Sequence, residues 1–234
     1  MRTSATCRQL AWFLLAAALL PAAQAQVPAA EPQAARPRIG LVLSGGGARG
    51  LAHIGVLRVL KEYRIPVDVI SATSMGAIVG GAYAAGATPE QLQSAALAAD
   101  WDELFAGRPP RAQLHWRRKE DDAKNLALFE FGIGRDGLSL PRGAITGDNL
   151  ERFLRGLTDP VQDINNLRRL PIPFVAMATD LETGAAVELN DMPLSQAMRA
   201  SMSIPGAFAP AQRDGRLLVD GGLVANIPVQ PARK

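Results

Sequence analysis

Cysteine, histidine and aromatic residues are all scarce in this chain of 234 residues. Aromatic side chains make up 5% of the sequence, so the hydrophobic core must be mostly aliphatic and rich in alanine. A long apolar run is also missing: the stretch from Leu10 to Leu20 is well short of the roughly 20 residues that a membrane-spanning helix needs. The 48% apolar and 20% charged residues that are present are typical of a globular protein, and the length suits one α/β domain.

The N-terminal residues have the pattern of a secretory leader. Arg2 and Arg8 precede the apolar run Leu10–Leu20, Pro21 ends it, and Ala23-Gln24-Ala25 offers a small-x-small cleavage site. We therefore predict a signal peptide over residues 1–25 and export to the periplasm, the outer membrane or the medium. An uncleaved membrane anchor is the alternative.

Removal of this leader would change the chemistry of the mature chain. The only cysteine, Cys7, would be lost, which leaves no thiol, disulfide or cysteine metal site. Loss of Arg2 and Arg8 would bring the formal net charge of +3 close to neutrality, so nucleic acid is not an expected partner. Residues 26–38, rich in alanine and proline, predict a flexible linker before a single domain over residues 39–234.

The first half of that domain predicts alternating strands and helices. Ile39–Leu43 and Val67–Ile70 are short apolar runs, each followed by a segment with helical spacing or small residues, Leu51–Leu60 and Met75–Ala85. This order is a βαβα unit and implies a parallel sheet.

Later segments predict further strands and helices of the same domain. Thr88-Pro89 and Asp148 with Glu151 resemble helix N-caps, the second as a capping box. Phe174–Ala178 and Leu217–Val219 predict strands, and the second of these carries Asp220 at its end.

Ser74 is the first candidate catalytic residue, in the segment Ala72-Thr73-Ser74-Met75-Gly76 between an apolar strand and a helix. A sharp strand-to-helix turn exposes a serine hydroxyl and aims the helix N-terminus at the charge that develops during acyl transfer. Such a turn needs small residues two positions to either side. Gly76 meets this need, whereas Ala72 is one methyl group larger than the usual glycine. An ordinary turn serine is the alternative.

The segment Gly45-Gly46-Gly47-Ala48-Arg49-Gly50 follows the first strand and opens a helix. Backbone N–H groups without side chains around them suit an oxyanion or a phosphate, and Arg49 could hold the loop or attract an acidic head group. The same spacing also matches the dinucleotide-binding fingerprint, which requires an acidic residue at the end of the second strand. Asp68 lies instead at the start of that strand, but a nucleotide-binding domain remains an alternative.

Asp220-Gly221-Gly222 is the favoured source of a base for the serine. Neither His53 nor His115 follows Asp220, so the Ser–Asp–His order of α/β-hydrolases is excluded. A carboxylate at the end of a strand can accept the serine proton if it lies within hydrogen-bond distance. Asp214-Gly215 predicts a turn, and Asp180 remains the rival candidate.

Together these motifs resemble those of the patatin-like phospholipases, in particular their bacterial, exported branch. The family pattern of a GxGxxG loop, a GxSxG serine motif and a DG[GA] aspartate motif is matched by residues 45–50, 72–76 and 220–222. The similarity extends over about residues 39–229 and includes Ala178–Leu181 and Ala200–Pro205.

The resemblance implies a three-layer α/β/α sandwich with a mostly parallel central sheet. It implies a carboxylic ester hydrolase of the phospholipase or lysophospholipase type, with Ser74 as nucleophile, Asp220 as base, and no metal or cofactor. Substrates would be phospholipids or other lipid esters, reached through transient contact with a membrane surface.

The sequence departs from the family pattern at two places, and each departure could affect catalysis. Ala72 replaces the first glycine of the serine motif, and the chain stops at Lys234, where relatives usually continue with another strand and helix. We therefore expect a domain truncated at its C-terminus. A catalytically impaired binding domain is the corresponding alternative.

Overall fold

The computed structural model describes residues 36–105 and 147–234, together with Trp116 and two short strands within residues 132–139. Every described helix and strand lies in one compact unit, residues 38–234. The predicted signal peptide, most of the predicted linker and His115 lie outside the described residues. Within the described part, no helix is long and apolar enough to cross a membrane.

A six-stranded sheet forms the centre of this unit, and a separate two-stranded hairpin accompanies it. The strands of the chain are β1 (Gly40–Leu43), β2 (Val69–Thr73), β3 (Gly132–Gly134), β4 (Gly137–Ser139), β5 (Phe174–Asp180), β6 (Ala186–Leu189), β7 (Ala211–Arg213) and β8 (Arg216–Asp220). The sheet runs in the order β1-β2-β5-β8-β7, with β6 also paired to β5, and β3 and β4 make the hairpin.

The central strands β1, β2 and β5 are parallel, whereas β6 and β8 run antiparallel to β5. The α/β fold and the parallel pairing of the first strands are confirmed. Strands β7 and β8 form a hairpin across Asp214 and Gly215, whose φ angles of 48° and 77° are those of a tight turn. The predicted turn at Asp214-Gly215 is therefore confirmed as well.

Seven α-helices occur among the described residues. They are α1 (His53–Glu62), α2 (Met75–Ala84), α3 (Pro89–Ala98), α4 (Trp101–Leu104), α5 (Asp148–Thr158), α6 (Leu194–Ser201) and α7 (Val229–Ala232). Short 3₁₀ turns include Gly47–Ala52 after β1 and Gly221–Leu223 after β8.

Helix α2 is buried along nearly its whole length, because small residues let it approach both the sheet and α6. A side chain at Gly80 would start 2.9 Å from Leu43 Cδ1 of β1, and one at Gly81 would start 2.6 Å from Met198 Cε of α6. On the opposite face of the sheet, Gly40 lies beside Ala232 of α7. Helices therefore lie on both faces, and α2 fixes the residue just before it, Ser74.

Two local predictions differ from the structure and one agrees with it. The second strand was predicted over Val67–Ile70 but runs from Val69 to Thr73. Its pairing with β5 extends to Thr73, which lies opposite Met177. The capping box predicted at Asp148 is wrong: Gly147, with φ of 86°, is the N-cap of α5 and no side chain caps the helix. The cap at Thr88 is confirmed, because its hydroxyl accepts the N–H of Gln91.

Candidate active site

Strand β5 brings the ends of β2 and β8 together. Thr73, the last residue of β2, pairs with Met177, and Asp220, the last residue of β8, pairs with the next residue, Ala178. Strand β6 occupies the other edge of β5 at both positions, so β2 and β8 share one edge and approach each other end to end. The residue after Thr73 therefore lies beside Asp220.

That residue is Ser74, and its side chain is hydrogen-bonded to Asp220. Ser74 Oγ donates to Asp220 Oδ2 at 2.6 Å, and the exposed fractions of the two residues are only 6% and 7%. The other carboxylate oxygen, Oδ1, accepts the N–H of Gly222 at 2.6 Å. The Gly222 N–H thus orients the carboxylate through Oδ1, while Oδ2 accepts the hydrogen bond from the serine hydroxyl.

The backbone of Ser74 has an unusual conformation, with φ of 54° and ψ of −124°. A positive φ at a residue with a side chain costs roughly 1–3 kcal/mol and persists only where the surroundings impose it. Here Ser74 directly follows β2 and is the N-cap of α2, so the chain turns sharply at this residue. The result is the strand-to-helix turn that the sequence predicted.

The residues around Ser74 tie this turn to its neighbours. Thr73 Oγ1 donates to the carbonyl of Ala225 at 2.8 Å. A side chain at Gly76 would start 2.5 Å from the carbonyl oxygen of Ser44, so only glycine fits between α2 and the end of β1. Ala72 is fully buried in β2.

The backbone N–H groups of both residues have partners near the end of α6. The N–H of Ser74 donates to Ser201 Oγ at 2.9 Å, and the N–H of Asp220 donates to the carbonyl of Ser203 at 2.9 Å. Sequence reasoning matched the stretch that contains these serines to the family but assigned it no role. Two serines in a stretch with Ala200 and Met202 give no local signal for this contact, because Ser74 is 127 residues away from Ser201 along the chain.

The glycine loop lies beside Ser74 and is held at both ends. The N–H of Gly45 donates to Asn226 Oδ1 at 3.0 Å, and a side chain at Gly45 would start 3.0 Å from Ser74 Cβ. At the other end, a side chain at Gly50 would start 2.7 Å from Met75 Cβ. Sequence reasoning did not find Asn226, although it follows Asp220 by only six residues.

The middle of the loop borders a cavity. The N–H of Arg49 donates to the carbonyl of Gly46, and the Arg49 side chain is exposed. Gly47 and Ala48 line a cavity of about 390 Å³ together with Ser74 and a set of apolar side chains that includes Trp101, Ile204 and Phe208. Of the six predicted loop residues, Gly47 and Ala48 thus share this space with the serine.

Asp180, the rival candidate for the base, has a different function in the structure. Its Oδ1 accepts the N–H groups of Glu182 and Thr183 at 3.0 and 3.2 Å, and its Oδ2 lies 3.9 Å from Arg216 Nε. The hydrogen bond from the Thr183 backbone holds the pKa of the Asp180 carboxyl below its usual value. Asp180 therefore organises the turn after β5, whereas Ser74 is hydrogen-bonded to Asp220.

His53 and Asp68 each form a hydrogen bond with a backbone group outside the Ser74–Asp220 pair. His53 Nε2 is in hydrogen-bond contact with the carbonyl of Ser44 at 3.0 Å. Asp68 precedes β2, at the opposite end of that strand from Ser74, and its Oδ2 accepts the N–H of Ile39. The acidic residue that a dinucleotide site requires is thus at the wrong end of the strand. No cluster of metal-binding side chains occurs in the described segments.

Comparison with known proteins gives the family. The model of the patatin-like phospholipases matches residues 41–233, which include the glycine loop, Ser74 and Asp220. This chain belongs to the patatin-like phospholipase family. It is 36% identical over 195 residues to an uncharacterised NTE family protein of Mycobacterium bovis, covering 83% of this chain and 45% of that protein.

A second relative and a solved structure extend this comparison. The chain is 36% identical over 192 residues to the lysophospholipase NTE1 of Mycosarcoma maydis, covering 82% of this chain and 9% of that protein. VipD from Legionella pneumophila has a similar fold, with a TM-score of 0.52 at 16% identity over 83% of this chain and 47% of VipD. The chain spans less than half the length of these curated relatives.

Proposed function

We propose that this patatin-like chain is a serine lipid acyl hydrolase, a carboxylic ester hydrolase of the phospholipase A or lysophospholipase type. The observation that carries the proposal is the 2.6 Å hydrogen bond from Ser74 Oγ to Asp220 Oδ2, made beside an apolar cavity that Ser74 lines. A serine hydroxyl needs an adjacent base to attack an ester, and the Asp220 carboxylate is within reach of its proton.

In the acylation step, Ser74 Oγ attacks the ester carbonyl carbon while its proton passes to Asp220. The tetrahedral intermediate then collapses, the ester C–O bond breaks, and the departing alcohol takes the proton from Asp220. The product is an acyl ester on Ser74. In the second step, water gives a proton to Asp220 and attacks this ester, which releases the fatty acid and returns the proton to Ser74.

The negative charge on the tetrahedral intermediate needs nearby hydrogen-bond donors. The N–H groups of Gly47 and Ala48 are the candidates, since these residues line the same cavity as Ser74. The N–H of Gly45 already donates to Asn226, so Gly45 acts by holding the loop. The N-terminus of α2, which begins at Met75, adds its positive end at the same place.

The lining of the cavity favours the acyl chain as the part of the substrate that binds there. Its walls are mostly aliphatic and aromatic side chains, and its volume of about 390 Å³ is in the range of ligand-sized pockets. Ile204 lines the cavity and is also partly exposed, at 43%, so the lining continues to the protein surface. We propose phospholipids or lysophospholipids as substrates, reached by transient contact with a membrane surface.

The test combines labelling and hydrolysis. A fluorophosphonate probe is expected to label the wild-type protein at Ser74, as located by peptide mass spectrometry, and Ser74→Ala is expected to abolish both labelling and fatty-acid release from phospholipid vesicles. Ser71→Ala is the matched control, because it removes a buried hydroxyl from β2, the strand that ends just before Ser74. Hydrolysis that survives Ser74→Ala, or a probe adduct on another residue, would refute the proposal.

We also propose that the chain is the exported type of this family, with residues 1–25 removed as a signal peptide. The basic residues Arg2 and Arg8, the apolar run Leu10–Leu20 and the site at Ala25 support this. Expression in a Gram-negative host should yield periplasmic protein whose N-terminal residue is Gln26. Protein that stays in the cytoplasm with residues 1–25 intact would contradict it.

A further inference from the structure

The end of α6 contacts the backbone of both members of the Ser74–Asp220 pair. Ser201, its last residue, accepts the N–H of Ser74 through Oγ at 2.9 Å. Two residues later, the carbonyl of Ser203 accepts the N–H of Asp220 at 2.9 Å. One short segment therefore sets the positions of two residues that come from different strands.

This segment is itself rigidly held. Ser201 and Ser203 are fully buried, and Arg199 is 9% exposed. Arg199 Nη1 donates to Ser203 Oγ at 2.6 Å, and Ser203 Oγ donates back to the carbonyl of Arg199 at 2.9 Å. The Arg199 guanidinium also lies over the ring of Phe208, 5.2 Å from its centroid. These contacts fix the residues on both sides of Ser201, which is itself fully buried.

The contact with Ser201 matters because the backbone of Ser74 is strained. Its φ of 54° is rarely adopted by a residue with a side chain, so neighbouring contacts must impose it. Ser74 precedes α2, and its N–H therefore takes no part in the hydrogen bonds within that helix. The Ser201 hydroxyl is the acceptor that holds this N–H in place.

We propose that Ser201 is a positioning residue for acyl transfer: its Oγ fixes the backbone of Ser74 so that the Ser74 hydroxyl stays directed at Asp220. This inference rests on the proposed hydrolase function. Ser201 does not touch the reacting atoms and acts only through the Ser74 N–H. Loss of its oxygen should therefore lower the rate of the chemical step with little effect on substrate binding.

The experiment compares Ser201→Ala with Ser195→Ala, which makes the same change at a mostly buried serine near the start of the same helix. With p-nitrophenyl butyrate as a soluble ester, Ser201→Ala is expected to lower kcat by about 10- to 100-fold, as small misplacements of a reacting group do. KM should stay close to wild type, and the Tm should fall by several degrees, because the buried N–H of Ser74 loses its acceptor. Ser195→Ala should keep wild-type kcat.

Amide hydrogen exchange gives a readout that does not depend on activity. In Ser201→Ala, peptides that span Ser74 should exchange faster than in wild type, whereas in Ser195→Ala they should not. Ser201→Thr, which keeps the acceptor oxygen, should recover most of the lost kcat. If Ser201→Ala does not fold, Ser201→Cys takes its place, because sulfur fills the site but is a weak acceptor.

The outcomes separate this inference from the proposed function. Wild-type kcat and wild-type exchange in Ser201→Ala would overturn the inference alone, as would a Ser201→Thr variant impaired as strongly as Ser201→Ala. A wild-type protein that hydrolyses no ester and binds no fluorophosphonate would instead refute the hydrolase proposal. In that case the exchange data would still report whether Ser201 holds the turn at Ser74.

Discussion

The methyl group of Ala72 lies opposite Gly80 of helix α2. A Cβ atom placed on Gly80 would be 3.5 Å from Ala72 Cβ, an ordinary van der Waals distance, so the two positions share one packing site. Ala72 is fully buried and lies within the regular pairing of β2 with β1 and β5. The methyl group that replaces the usual glycine of the serine motif is therefore packed against α2 at Gly80 without disturbing the pairing of β2.

Ala72→Gly should not raise ester turnover, because the structure already accommodates the methyl group. It should lower the free energy of unfolding by roughly 0.5–1 kcal/mol, since glycine inside a strand loses more conformational entropy on folding. Urea denaturation and p-nitrophenyl butyrate hydrolysis measure the two effects. A variant with clearly faster turnover would mean that Ala72 impairs the turn at Ser74, and would support the binding-domain alternative.

Gly80→Ala should destabilise the protein by about 1–3 kcal/mol through overpacking. The new Cβ would lie 2.9 Å from Leu43 Cδ1 and 3.0 Å from Ile70 Cγ2, both in the sheet. Gly55→Ala in α1 is the matched control: no heavy atom lies within 4 Å of its added Cβ. Because alanine is the better helix former, that variant should gain about 0.5–1 kcal/mol. Thermal denaturation should show a lower Tm for Gly80→Ala and a higher Tm for Gly55→Ala than for wild type. Equal shifts of the same sign would contradict the prediction.

Asp220→Asn and Asp180→Asn should have very different effects on ester hydrolysis. The first removes the group that accepts the Ser74 proton, so turnover should fall by about 10²- to 10⁴-fold, the usual contribution of a general base. The second changes a carboxylate that accepts the N–H groups of Glu182 and Thr183 in the turn after β5, so most turnover should remain. Steady-state rates with p-nitrophenyl butyrate compare them directly. Similar losses in both variants would show that the choice of Asp220 over Asp180 is wrong.

The lowered pKa of Asp180 predicts a specific loss of stability in acid. A carboxyl group whose pKa is lower in the folded than in the unfolded chain stabilises the fold at every pH above its unfolded pKa of about 3.9. This stabilisation is lost as the pH falls through the folded pKa, where the carboxylate protonates. Between about pH 5 and pH 3, the urea midpoint of wild type should therefore fall more steeply than that of Asp180→Asn. Parallel curves would count against this role for Asp180.

Part of the fold follows from local patterns in the chain. The apolar runs before the glycine loop and before Ser74 predicted parallel strands, and the small residues after Ser74 predicted a closely packed helix; each depends only on neighbours in sequence. The short strands β6 and β7 were not predicted, because three or four residues of mixed polarity carry no clear period. The cap at Asp148 was misassigned because Gly147, in a left-handed conformation, serves as the N-cap.

The residue order was enough to single out Ser74, Asp220 and the glycine loop, since the turn, the strand end and the run of glycines each have a recognisable pattern among neighbouring residues. It favoured Asp220 as the base but left Asp180 as a rival, because both end apolar strands. The register of β5 places Asp220 one position beyond Thr73 on the same edge, which brings its carboxylate, and not that of Asp180, to the Ser74 hydroxyl. Ser201 and Asn226 likewise became visible only in the fold, because a single hydrogen bond between distant residues leaves no periodic pattern in the chain.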